Sequence, residues 1–175
     1  MLRDPALVTW IRTGDKGGRA YPDGSTGQAR FAAYLDLVHA RTNTLLGPDG
    51  RPQLPWPRAL GTTPWAVCRE LESGAAAPGA RYRSVLVRWR NPERVATLAQ
   101  RLAGHVTDQR PGALFVGNAT LPRHAALLVP GDDGSLLVHD PGSGAVAALD
   151  VPALVDRRTE VAGWTQPWFL VGPVG

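Results

Sequence analysis

Residues 122–144 read PRHAALLVPGDDGSLLVHDPGSG, and their reading decides the fold. HAALLV and SLLVH are short apolar, β-prone runs, and PGDDG between them is a dense cluster of turn residues, so the stretch predicts two antiparallel strands joined by a tight loop. With Val129 paired to Ser135, the residue numbers of every pair sum to 264, and His124 falls opposite Asp140. Directly opposed residues hold their Cβ atoms about 4.5–5.5 Å apart on one face, close enough for a carboxylate to orient an imidazole. A slip of one residue would send one partner to the other face.

Working outward, residues 113–117 (ALFVG) predict a strand that enters the hairpin through Asn118-Ala119-Thr120. Residues 145–149 predict a further strand, 151–157 a short helix, and WTQPWFLVGP at the end a last strand. Upstream, residues 82–90 (YRSVLVRWR) alternate, with Val85, Val87 and Trp89 on one face, as a half-exposed strand does. Asn91-Pro92-Glu93 then caps a helix with the stripe Val95, Leu98, Leu102 and Val106, and His105 at its end.

The first half reads as helical. Residues 28–46 place Phe31, Leu35, Val38, Thr42 and Leu45 at spacings of three and four, which predicts one buried stripe with His39 beside it as a packed or surface residue. Thr63 is placed to cap a third helix and Pro64 to occupy its first position, with Trp65, Cys68 and Leu71 facing inward. Residues 13–26 and 47–57 are loops rich in Gly, Asp and Pro. Trp56, in the second, either walls a substrate groove or pins the loop to the core. Helices first and hairpin-linked strands after predict one α+β domain, N-terminal helices packed on a C-terminal antiparallel sheet.

With 175 residues, 43% hydrophobic and 19% charged, the chain can bury a real core. Its +4 charge and pI near 10.0 come from 18 Arg and the single Lys16, spread in ones and twos rather than in a block, so no nucleic-acid partner is expected. Cys68 is the one cysteine, which excludes an intramolecular disulfide and any multi-cysteine metal site. His124 and His139 find no third ligand at metal spacing, and neither metal nor cofactor is expected. No apolar run reaches membrane-spanning length and the first residues lack the basic-then-apolar layout of a signal peptide, so the expectation is a cytoplasmic protein.

PRHAALLV followed by LLVHDPGSGAV resembles the papain-like cysteine peptidases, in particular the bacterial branch of bacteriocin-processing (double-glycine leader) peptidases. In that branch a strand beginning with His precedes a strand ending in Asp-Pro and a glycine. The resemblance implies a papain-like fold and thiol hydrolysis of a peptide or protein substrate. A Cys at a helix N-terminus attacks the carbonyl, His124 takes and returns the proton, and Asp140 holds the imidazole. Trp56, Trp65 and Ser143 are then the candidate substrate contacts.

The nucleophile does not carry over. In the family it opens the first helix, behind a Gln that helps form the oxyanion hole. Here no Cys precedes Gln28, and residues 1–5 resemble the downstream end of such a helix. Residues 1–175 are thus expected to be a single papain-like domain without that helix. Three accounts stand: a fragment of a longer reading frame, a pseudoenzyme that binds peptide or protein without catalysis in a cleft walled by Trp56, Trp65 or Trp164, or Cys68 acting from an unusual position. Whether the chain is an enzyme is left open by its residues.

Overall fold

A computed structural model describes residues 5–57 and 61–174. The reading of residues 1–4 as part of a nucleophile-bearing helix therefore lies outside the described residues. Three helices come first: α1 (Pro5–Thr13), α2 (Gly27–Thr42) and α3 (Pro64–Glu70), the last continued by a π-helical turn at Leu71–Ala75. There follow β1 (Tyr82–Leu86), α4 (Pro92–Ala103), β2 (Gly112–Gly117), β3 (Pro122–Pro130), β4 (Leu136–His139), β5 (Val146–Ala148), α5 (Val151–Val155) and β6 (Gln166–Pro173). The six strands form one antiparallel sheet in the order β1-β6-β2-β3-β4-β5, so the fold is α+β.

Local chemistry explains most boundaries. Thr63 and Asn91 accept from the backbone N–H of Ala66 and Arg94, and Pro64 and Pro92 supply the fixed φ of a first helical position. Strand β2 is buried along its whole length because both sheet faces are covered. Val95, Ala99 and Leu102 of α4 and Leu154 of α5 meet Leu114, Val116 and Leu128 on one side. On the other, Cys68 and Leu71 meet Tyr82, Ala113 and Phe115.

Three expectations are corrected. The expected stripe is buried only at Thr42: Phe31 and Leu35 are 40% and 49% exposed, Val38 is half-buried, and Leu45, past the end of α2, is 69% exposed. The helix turns a polar face inward instead. Arg30, only 8% exposed, donates to the carbonyls of Ile11, Arg12 and Gly24, which caps the open end of α1. One turn on, Tyr34 stands edge-on to Trp10. Apolar periodicity finds a helix, but satisfied polar groups decide here which face is covered.

Strand β1 stops at Leu86, short of the predicted Arg90. Arg90 donates through its backbone N–H to Val87 and through Nε to Leu86, closing a turn that leaves Trp89 73% exposed and edge-on to Trp168.

The hairpin register also differs. Leu127 pairs with His139 and Pro130 with Leu136, so pair numbers sum to 266 rather than 264. The loop keeps five residues but sits one residue later on each strand. It is closed by Gly131 N–H to the Ser135 carbonyl, with Gly134 in the left-handed region at φ 79°.

Candidate functional site

His124 is the third residue of β3 and Asp140 follows the last residue of β4. In the observed register the position opposite His124 is residue 142, so Asp140 is a diagonal rather than a direct partner. The shift is two residues, which preserves parity and keeps both side chains on the face of Ala126 and Val138. Diagonal neighbours remain within reach of longer side chains. His124 Nε2 accordingly lies 2.7 Å from Asp140 Oδ1.

The carboxylate is held from several directions. Gly142 N–H donates to Oδ1 at 2.9 Å and the Ser143 hydroxyl to Oδ2 at 2.6 Å. The turn that presents them is closed by Asp140 N–H to the Ala145 carbonyl and Gly144 N–H to the Asp140 carbonyl, with Gly144 at φ 73°. Hydrogen bonds to the charged form, that from Ser143 foremost and then Gly142 and His124, hold the Asp140 carboxyl at a pKa of about 2. Asp140 is thus an acceptor-only carboxylate at neutral pH. The hydrogen atom between it and His124 must therefore belong to Nε2. In a neutral imidazole with the proton on Nε2, the lone pair is on Nδ1. Among the described residues no hydrogen bond engages Nδ1, so it is the nitrogen open to a substrate or a nucleophile.

The loop between β2 and β3 fixes where β3 begins. Asn118 Oδ1 accepts from the backbone N–H groups of Thr120 and Leu121 and from the Thr120 hydroxyl, at 2.8–2.9 Å. Trp168 donates from its indole N–H to the Asn118 carbonyl, and Arg88 to that of Ala119. At Gly117 the register shifts, and a Cβ there would collide with the Leu121 carbonyl oxygen and lie 2.8 Å from Pro122 Cα. Asn118 and Gly117 thus position His124. The signal was in the sequence, since Asn-x-Thr after a strand is a side-chain-capped turn as well as a glycosylation pattern.

A hollow of about 220 Å³ lies beside His124, lined by His39, Gly61, Thr62, Phe115 and Arg123 among others. His39 near the end of α2 comes to this site although its sequence context gave no sign of it. Ser143 contacts Asp140 directly. Trp56 and Trp65 do not line the hollow. Their rings meet edge to face at 5.6 Å, and their indole N–H groups donate to the carbonyls of Gly61 and Leu54, so both indoles are tied to backbone near the start of α3. Trp164 packs against the α4–α5 side of the core, and Trp168 is buried.

Cys68 is not brought to the dyad. It is buried on α3 among Leu71, Ala76 and Tyr82, and burial, with Glu72 adding to it, pushes its thiol up to about 12. Among the described residues no group of three His, Cys, Asp or Glu side chains is placed to hold a metal ion, and no helix is long and apolar enough to cross a membrane. No protein-family model, curated protein or solved structure matches the chain.

Proposed function

We propose that His124 and Asp140 are the general base and orienting acid of a cysteine-peptidase-like hydrolase site on a papain-like scaffold, acting on a peptide or protein. The observation that carries this reading is which ring nitrogen the carboxylate takes. Nε2 is committed to Asp140 and Nδ1 is open, so a thiol approaching His124 meets a lone pair whose tautomer is already fixed. Nδ1 removes the thiol proton and the thiolate attacks the carbonyl carbon. The imidazolium then protonates the departing amine, and with water in its place the same nitrogen acts again as base to hydrolyse the thioester.

The thiol in this scheme is not Cys68, whose burial keeps it protonated. The scheme therefore needs a thiol that Cys68 does not supply. The in-frame codons upstream of Met1 test the reading: a Cys shortly after a Gln, opening an amphipathic helix, is the expected result. The extended chain should then hydrolyse casein, with the activity lost on His124→Ala and on replacing that Cys by Ser. A stop codon immediately upstream would sink it. The burial of Cys68 favours one second reading, in which the same hollow binds a peptide or protein without cleaving it.

A further inference from the structure

The other edge of the sheet carries a groove that the His124–Asp140 site does not use. Two adjoining hollows of about 220 and 440 Å³, sharing Arg83, Val85, Leu98 and Arg101, run between β1 and α4. Arg90 and Arg94 line the larger, and His105 closes the far end of the smaller. On α4 the residues Arg94, Leu98 and Arg101 follow one another at spacings of four and three, which stacks them on a single helical face, and His105 lies in the turn just past the helix end. On β1, Arg83 and Val85 alternate with Tyr82, whose side chain belongs to the Cys68 side of the sheet. Arg83 of β1, Arg94 and Arg101 of α4, and Arg90 of the turn between them thus come together over an apolar floor of Val85, Leu98 and Leu170.

Among the described residues no carboxylate lines either hollow. Among the described residues Arg83, Arg94 and Arg101 make no ion pair and no side-chain hydrogen bond, and Arg90 uses only Nε, toward the Leu86 carbonyl. Like charges gathered in a concave, partly apolar site raise the local potential and favour an anion there. Guanidinium groups match the paired oxygens of a phosphate in a way that a single ammonium cannot.

The edge of β1 is closed to strand addition at both ends. The N–H of Tyr82 donates to Glu72 Oε1 at 2.7 Å, and the carbonyl of Leu86 accepts from Arg90. A ligand therefore lies on the sheet face in the groove rather than along the edge. The larger hollow is within the usual range for a small-molecule site, about 300–1,000 Å³.

We propose that this groove binds a small organic phosphate, its phosphate held by the arginines and its apolar body resting on Val85, Leu98 and Leu170. The groove is three strand spacings, about 14 Å, from the strand that carries His124, so it is a separate site.

Titration calorimetry with 1-naphthyl phosphate, 1-naphthol and inorganic phosphate tests it. 1-Naphthyl phosphate should bind more tightly than either of its parts. The double variant Arg94→Gln/Arg101→Gln should raise its Kd at least tenfold, and Arg83→Gln alone should raise it in the same direction. Arg158→Gln, on the far side of the chain sequence and paired with Asp156, should leave it unchanged. All four substitutions are at exposed positions, and an unchanged melting temperature verifies that each variant is folded. Equal binding of naphthol, or a Kd indifferent to the groove variants, would overturn the proposal. So would a single-stranded oligonucleotide that binds through these arginines where 1-naphthyl phosphate does not.

Discussion

Alkylation of Cys68 decides whether the one thiol in the chain can serve His124. Burial among Leu71, Ala76 and Tyr82 carries its pKa from an ordinary 9.0 to about 12. At pH 8 a thiol of pKa 9.0 is about one-tenth thiolate, and one of pKa 12 about one part in ten thousand. Only the thiolate reacts with iodoacetamide, so the folded chain should label about a thousandfold more slowly than the same chain in urea, before any further loss of access is counted. Mass spectrometry of the intact chain after timed quenching measures both rates. The His124→Ala variant should label as slowly as the parent, because the imidazole is committed to Asp140 rather than to the sulfur. Folded-state labelling at the unfolded rate, lost in His124→Ala, would refute the reasoning and restore Cys68 as the nucleophile.

The Asp140→Ala variant should release the His124 tautomer. Long-range 15N–1H correlation spectra at high pH should show the neutral ring protonated on Nε2 in the parent and on both nitrogens in exchange in the variant; an unchanged pattern would mean that Asp140 does not set it. The low pKa of Asp140 has a defined sign: its folded value of about 2 lies below the ordinary 3.8, so its contribution to stability is complete above pH 4 and lost as pH falls toward 2. Thermal melts of parent and Asp140→Asn should therefore converge at pH 2 and separate above pH 4. Replacing Gly117 by Ala forces a methyl group onto the Leu121 carbonyl and Pro122, and overpacking of this kind costs about 1–3 kcal/mol, read as a lower urea midpoint. Leu114, fully buried at the centre of the sheet, should lose about 2–5 kcal/mol on substitution by Ala, again by urea denaturation.

What could be read from the residues was mostly local. Helix capping illustrates it: Thr63 before Pro64, and Asn91 before Pro92, each declare a helix start by satisfying one backbone N–H and fixing one φ, and neither depends on distant chain. The hairpin is similar, since PGDDG can hardly be other than a turn. Its exact register was not legible, because sliding the loop by one residue on both strands preserves the inward and outward faces and so leaves the hydrophobic pattern satisfied. The same invariance is why the His124–Asp140 contact survived the wrong register. Illegible for another reason was the burial of α2, which is settled by Arg30 reaching carbonyls from two other segments. His39 came to the hollow beside His124 through the same long-range packing.

The arginines show how far sequence spacing can mislead about charge. Along the chain they come in ones and twos, which argues against a basic patch. Yet a helix places residues four and then three apart on one face, and a strand places alternate residues on one side, so Arg94 and Arg101 become neighbours of Arg83 without any run of like charge. A run of consecutive charges on a helix would have spread around the whole cylinder and left no groove of one sign. Dispersal in sequence, when it matches the period of the elements that carry it, is therefore what concentrates charge in space, and the same rule set His124 and Asp140 on one face sixteen residues apart.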